Sequence, residues 1–288
     1  MLQPWETDRP LNESAIARRI AERFPELSGA HVAYFDEGWD SRAFLVGGKW
    51  VFRFSKHADC DGDARIEIPL LRAIQPRLPI PIPEVVFDGG DWFGYPLLPG
   101  RSLAERDWSA ELAHALAPQF GRFFSVLHAI PASSLSVPAG ARNLDKLQVR
   151  ATAWIGALDR FGAAGVAARE ALNRVPAAYD GPALLVHNDL GPEHALLEGD
   201  RITGIIDWSD ARLGDPATDF AGIAIWGGEK FMREVLAHYD GTVDSGLVER
   251  SRYQAFCVAV MDAHYGVESG KPRYLHSAEQ ALRLLSPA

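Results

Sequence analysis

The period of the apolar positions changes several times along the chain. Ile16, Ile20 and Phe24 recur every four residues behind Asn12, which predicts a helix capped by Asn12 and stopped by Pro25. From residue 31 the pattern turns to alternation and predicts strands at His31–Phe35, Ser41–Val46 and Lys49–Ser55, the last two joined by Gly47-Gly48. In the third of these Trp50, Phe52 and Phe54 share one face, and Val51, Arg53 and Ser55 share the other. Arg53 is the one charge in that set, and alone it reads as an edge arginine that snorkels to water. Helical spacing returns at Ile66, Leu70 and Ile74, predicting a helix over Asp63–Gln75 with Glu67 on a neighbouring face. Pro69 should kink that helix or open a later one. Pro79, Pro81 and Pro83 impose an extended connector into a strand at Glu84–Phe87, and Gly89-Gly90 turns it into Trp92–Leu98. The pattern breaks at Pro99-Gly100, so a lobe boundary is expected there, between residues 1–98 and 99–288.

The remainder is largely helical in period. Leu103–Pro131 carries a broad stripe, Leu112, Leu116, Phe120, Phe123, Phe124 and Leu127, interrupted by Pro118 and read as core. A looser helical region follows at Leu144–Tyr179, then helices at Ala217–Trp226, Lys230–Tyr239, Leu247–Val267 and Tyr274–Leu285. A strand-rich front and a helical back with one small hairpin predict an α+β chain of two lobes.

That hairpin lies in the most polar-dense part of the chain. The apolar run Ala183–Val186 delivers His187-Asn188-Asp189; His194 follows, then Ala195–Leu197, the turn Gly199-Asp200, and Ile202–Ile206 ending on Asp207. Strands that release acids at their ends through a tight turn should bring those acids together, where they repel unless a cation or reacting proton lies between them. Asp189, just past a buried strand, can accept a proton from a substrate hydroxyl. His194 and Asp207 offer an imidazole nitrogen and a carboxylate, a mixed set able to hold a divalent ion. Two reaction classes fit: phosphoryl transfer, with Asp189 orienting the attacking hydroxyl, and metal-assisted hydrolysis, with His187, Asp189, His194 and Asp207 holding the metal. His187, Asp215 and Asp219 are read as structural, His187 capping a loop and Asp219 pinning the Gly214-Asp215 turn.

Composition narrows this further. A formal charge of -9 argues against a nucleic-acid partner and favours, at most mildly, a cationic partner or a metal. Cys60 and Cys257 are too few for a disulfide framework, so a reducing, cytoplasmic setting is expected. The first residues lack a basic-then-apolar signal pattern, and no apolar run approaches the ~20 residues of a membrane span. A monomer or weak dimer is expected.

His187-Asn188-Asp189, His194 and Ile206-Asp207 resemble the catalytic and metal segments of the aminoglycoside phosphotransferase family, which has a protein-kinase-like fold. Histidine at 194 is similar to the aminoglycoside 2''-phosphotransferases and the macrolide phosphotransferases. PIPIPEVVFDGG resembles the 2''-phosphotransferase connector, Gly38–Lys56 the family's nucleotide hairpin, and Tyr265–Tyr274 a segment near its C-terminus. The resemblance implies that Asp189 is the catalytic base and that His194 and Asp207 coordinate Mg2+ on the phosphates of ATP or GTP, bound between the front hairpins and the Asp189 loop. It places the family's phosphate-contacting lysine on Arg53, a departure, because a guanidinium forks onto two oxygens where an ammonium is a point charge. Glu67 matches the acidic partner of that cation. Lys56 should point away from it. Glu37–Ser41 replaces a Gly-rich loop, leaving Ser41 and backbone amides to grip phosphate. Tyr95, Pro96, Leu97 and Leu98 would form the hinge that reads the nucleobase through main-chain groups, with Ile206 also at the nucleotide. The acceptor is a small-molecule hydroxyl. For an aminoglycoside the carboxylates Asp189, Asp210 and Glu229 are the candidates to face its ammonium groups; for a macrolide, Trp226, Phe231, Phe256 and Tyr265 could serve, although their helical spacing favours core. A metabolic hydroxyl, a metal-dependent hydrolase and a nucleotide-binding module without turnover are the other readings.

Overall fold

The computed structural model describes residues 7–38, 40–57, 61–140 and 144–286, with the side chains of 61–63 and 145 left out. Trp39, in the loop expected to grip phosphate, and Cys60 lie outside the described residues. The chain divides into two compact units: Met1–Pro99 with Gly204–Ser209, and Gly100–Thr203 with Asp210–Ala288.

In the first unit, helix α1 (Glu13–Arg23) opens as its sequence predicts, with the Asn12 side chain accepting from the Ala15 amide. Strands β1 (Val32–Glu37), β2 (Ser41–Val46) and β3 (Trp50–Ser55) follow, then α2 (Asp61–Ile74), β4 (Phe87–Asp88) and β5 (Trp92–Pro96). The five strands form an antiparallel sheet in the order β1-β2-β3-β5-β4. The turn between β2 and β3 puts Gly47 and Gly48 at φ 59° and 66°, a conformation that costs side-chain-bearing residues and that fixes the hairpin register at Val46 opposite Trp50. Phe52 and Phe54 then face Ile16 and Ile20 of α1 in one buried cluster, with Phe44, Phe87 and Trp92. The Phe52 ring fills the space over Gly94, where a Cβ would lie 2.6 Å from it. On the opposite face Arg53 meets Glu67 of α2.

Two departures in this unit have physical causes. Pro69 does not open a later helix; it sits inside α2 on an exposed position, where the carbonyl that loses its partner can turn to water. The strand expected at Glu84–Phe87 pairs only from Phe87, because the proline-held connector joins the sheet late, first through the Val86 amide to the Gly94 carbonyl.

The second unit holds β6 (Arg101–Ser102), α3 (Ala110–His128), α4 (Leu144–Ala153), α5 (Gly162–Leu172), β7 (Leu184–Val186), β8 (Ala195–Glu198), the start of β9 (Arg201–Ile205), β10 (Arg212–Gly214), α6 (Ala217–Leu236), α7 (Leu247–Ser269) and α8 (Pro272–Leu285). Its stripe on α3 is buried as expected. The helix begins later than Leu103, where the Ser109 hydroxyl accepts from the Leu112 amide, and runs unbroken through the exposed Pro118. The looser region breaks at Trp154 and Gly162 and stops at Leu172, short of Tyr179. The interruption expected between Trp226 and Lys230 is a kink in α6 at Gly228, φ 76°. Trp226, Phe231, Phe256 and Tyr265 are all buried in the core. One expected pairing fails. The strand before Asp189 does not pair with the hairpin that follows: β7 pairs with β10, and β8 and β9 join β6 in a separate sheet.

The aromatic face of β3 should carry much of the first unit's stability. Phe52→Ala is expected to cost about 3–5 kcal/mol in denaturant unfolding; a loss below about 1 kcal/mol would show that the Phe52–Gly94 packing is not a core contact.

Candidate functional site

In the first unit the chemistry gathers around Arg53. Register places Arg53 of β3 opposite Phe93 of β5, and its side chain is directed toward α2. There its guanidinium forks: Nη1 donates to Glu67 Oε1 at 2.8 Å, and Nη2 donates to Asp207 Oδ1 at 2.7 Å and to Ser41 Oγ at 3.2 Å. Four residues singled out from sequence therefore meet, three of them from separate segments of the front and the fourth from Gly204–Ser209. Glu67 Oε1 also accepts the Trp208 amide at 3.3 Å, which ties the residue after Asp207 to α2. Burial alone would weaken the guanidinium's hold on its proton, but Asp207 and then Glu67 more than offset it, and the pKa of Arg53 stands above its ordinary value. From sequence Tyr95 is expected to act only through its main chain. Its side chain is buried close to this charge cluster, and burial, opposed by Arg53, pushes its hydroxyl pKa up.

Lys56 serves the neighbouring loop instead. It is buried, donates to the Gly38 carbonyl at 2.9 Å and lies 3.7 Å from Glu37. In the hinge segment the Leu97 amide donates to the Lys49 carbonyl at 2.8 Å, and Tyr95 lies opposite Val51. The alternation of an antiparallel ladder then turns the main-chain groups of Pro96 and Leu98 away from β3, beyond Phe93 and Gly94 where β4 covers the edge. Ile206 is half-buried beside Asp207.

The second unit fixes Asp189 from behind. Asp219, fully buried on the first turn of α6, accepts the His187 amide at 3.1 Å and the Asn188 amide at 2.9 Å, and takes His128 Nε2 at 3.1 Å. His128 Nδ1 meets the Tyr239 hydroxyl at 2.9 Å. Asp219 thus pins the loop that leads into Asp189, not the Gly214-Asp215 turn expected for it. That turn is held by Asp215 itself, which caps the Ala217 amide and pairs with the buried Arg250 at 2.7 Å. The Asn188 side chain donates to the Asp210 carbonyl at 3.0 Å, and the Leu190 carbonyl passes so close to Gly222 of α6 that a Cβ would lie 2.4 Å from it. His187 acts as predicted, its Nδ1 accepting the Asp189 amide at 3.3 Å. His194 Nδ1 lies 2.6 Å from the Asp189 carbonyl, which can only accept, so that nitrogen donates.

Among the described residues only Asn188 and Asp207 combine a side chain with positive φ, 70° and 64°. Asn and Asp tolerate this region best, and here each is held by hydrogen bonds, the pattern by which strain collects at functional positions. Of the acceptor candidates, Asp210 is exposed, whereas Glu229 lies 2.7 Å from Arg233 and 3.8 Å from Arg252, which already neutralise it.

A model of the phosphotransferase enzyme family matches residues 31–255. The chain belongs to this family. Viomycin phosphotransferase of Streptomyces vinaceus is 31% identical over 212 residues, covering 67% of this chain and 71% of that protein. The GDP complex of wild-type aminoglycoside 2'-phosphotransferase-IIIa matches with a TM-score of 0.74 at 24% identity, over 94% of this chain and 97% of that one. A macrolide 2'-phosphotransferase from Brachybacterium faecium matches with a TM-score of 0.63 at 24% identity, over 93% and 98%. The fold is therefore the kinase-like one of this phosphotransferase family, with an antiparallel sheet in the N-terminal unit and helices in the C-terminal one, and the protein is a phosphotransferase with a hydroxyl acceptor. No described helix is long and apolar enough to cross a membrane.

Loss of the Asp219 charge should loosen the Asp189 loop. Asp219→Asn leaves at least one buried donor unpaired and is expected to cost about 1–3 kcal/mol or more in thermal unfolding, with faster amide exchange at His187 and Asn188. Unchanged exchange at those two amides would contradict the pinning role.

Proposed function

We propose that this phosphotransferase is a small-molecule kinase that moves the γ-phosphoryl group of ATP or GTP to a hydroxyl of an antibiotic, an aminoglycoside first. The observation that carries the reading is the Arg53 fork, which joins Glu67, Asp207 and Ser41 at one cation within a chain of this family. Bound nucleotide supports it by analogy: solved relatives are described as complexes with GDP, and one as a streptomycin–ATP ternary complex. The match to viomycin phosphotransferase, 31% identical over 212 residues, supports adding viomycin to the aminoglycosides as a candidate acceptor. Macrolides follow on the structural match alone.

In this reading Asp189 accepts the acceptor's hydroxyl proton as its oxygen bonds to the γ-phosphorus, and the bond from phosphorus to the bridging oxygen breaks to release the nucleoside diphosphate. Arg53 contacts phosphate oxygens from β3 through N–H groups other than those bonded to Glu67, Asp207 and Ser41, with backbone amides of the Glu37–Ser41 loop, and the hinge main chain at Pro96 and Leu98 meets the nucleobase. Asp207 and His194 Nε2 would hold Mg2+. Among the described residues no group of three or more His, Cys, Asp or Glu could hold a metal. The Asp207 carboxylate fits an ion that takes its other ligands from phosphates and water, which is how Mg2+ is commonly held beside nucleotides; an imidazole is an unusual partner for that ion. When bound, the ion would neutralise phosphate charge. Asp210, with Asp189, faces the acceptor's ammonium groups; Glu229 would have to leave its arginines to join them.

Asp189→Asn tests the assignment. Turnover is expected to fall about 10²–10⁴-fold, the usual worth of a general base, with nucleotide affinity unchanged in calorimetry. Near-full turnover would remove Asp189 from the base role.

A further inference from the structure

We propose that Arg53 sets the metal requirement of this protein by holding the Asp207 carboxylate oxygen that a divalent ion would take. The proposal rests on the nucleotide reading above. Its ground is the fork itself. Nη2 lies 2.7 Å from Asp207 Oδ1, and Ser209 Oγ donates to the same oxygen at 3.0 Å, so two donors already point at it. The guanidinium is not at liberty to swing aside, because Nη1 is tied to the buried Glu67 at 2.8 Å and Nη2 also reaches Ser41 at 3.2 Å. Nor is Asp207 free to re-aim its backbone, which sits at φ 64° with the next amide bound to Glu67.

A cation placed on Oδ1 must displace a charge-assisted hydrogen bond and then tolerate a fixed positive charge beside it. A lysine at 53 would present one nitrogen, which cannot hold Glu67 and Asp207 from two separate prongs as the planar fork does. The metal–nucleotide complex is therefore taken up only at higher free metal than the carboxylate alone would need. Glu67 works in the opposite sense. It draws the guanidinium toward α2 and shares its charge, so neutralising Glu67 leaves Arg53 bound more firmly to Asp207.

The test is the Mg2+ concentration that gives half-maximal binding of a non-hydrolysable ATP or GTP analogue, read by calorimetry, with Mn2+ binding followed by electron paramagnetic resonance as a second readout. Arg53→Lys is expected to lower that midpoint about tenfold, the worth of one charge-assisted hydrogen bond. Glu67→Gln, which can still accept the Trp208 amide, is expected to raise it. Opposite shifts support the proposal, and a purely structural role would not produce them. If Arg53→Lys proves unfolded by circular dichroism, Glu67→Gln decides alone. An unmoved midpoint, or a shift of both variants in one direction, overturns the metal role; the nucleotide reading stands as long as the unaltered protein binds either analogue. Failure of the unaltered protein to bind either analogue at any Mg2+ concentration overturns the nucleotide reading and this inference with it.

Discussion

A guanidinium between two carboxylates is a commitment that the whole first unit must honour. Arg53 is nearly buried, and removing one partner of a buried charge set commonly costs about 3–5 kcal/mol because the other is left unpaired. Every element around it serves that geometry. The Gly47-Gly48 turn fixes the register that sends Arg53 to one face of β3 and Phe52 and Phe54 to the other. Helix α2 must carry Glu67 on the turn that holds an internal proline, and Gly204–Ser209 must bring Asp207 into the same unit. The same arrangement concentrates charge where a nucleotide phosphate is proposed to bind.

The second unit solves a matching problem with an anion. Asp219 is buried with two consecutive backbone amides and a histidine as its partners, and those amides belong to the residues just before Asp189. A carboxylate satisfied in this way holds Asn188 in the left-handed region, which turns the chain so that Asp189 emerges with its side chain partly exposed. Close approach at Gly222 leaves the loop little room to relax. The two non-glycine residues with positive φ among the described ones thus flank the chemistry in the two units, Asn188 beside the proposed base and Asp207 at the proposed metal ligand.

Local pattern carried the sequence reading a long way where the relevant contact was local. The Asn12 cap, the Gly47-Gly48 hairpin, the α3 stripe and the break at Gly228 were legible because cap, turn and period are written within a few residues. The place of Pro69 inside α2 was not legible, because the cost of an internal proline depends on which helix face meets water, and that is set by tertiary packing. The pairing of β7 with the three-residue β10 left no trace in alternation. Arg53, taken alone, looked like an edge arginine; only the family resemblance supplied Glu67 as its partner, and nothing local announced its bond to Asp207, 154 residues away. Asp219 was recognised as structural but given the wrong segment, since its partner His128 lies 91 residues earlier at the end of an apolar stripe.

The central claim is that this chain transfers phosphate to a small-molecule hydroxyl, and product formation tests it most directly. Purified protein with Mg2+ would be supplied with ATP and GTP in parallel, against aminoglycosides, viomycin and macrolides. Nucleoside diphosphate release and phosphorus NMR of the acceptor would be followed together. The account predicts diphosphate release that depends on one acceptor class, with one phosphate monoester formed on that acceptor for each nucleotide consumed. Metal-dependent cleavage of an acceptor without nucleotide, or nucleotide binding with no acceptor-dependent turnover across the panel, would contradict it.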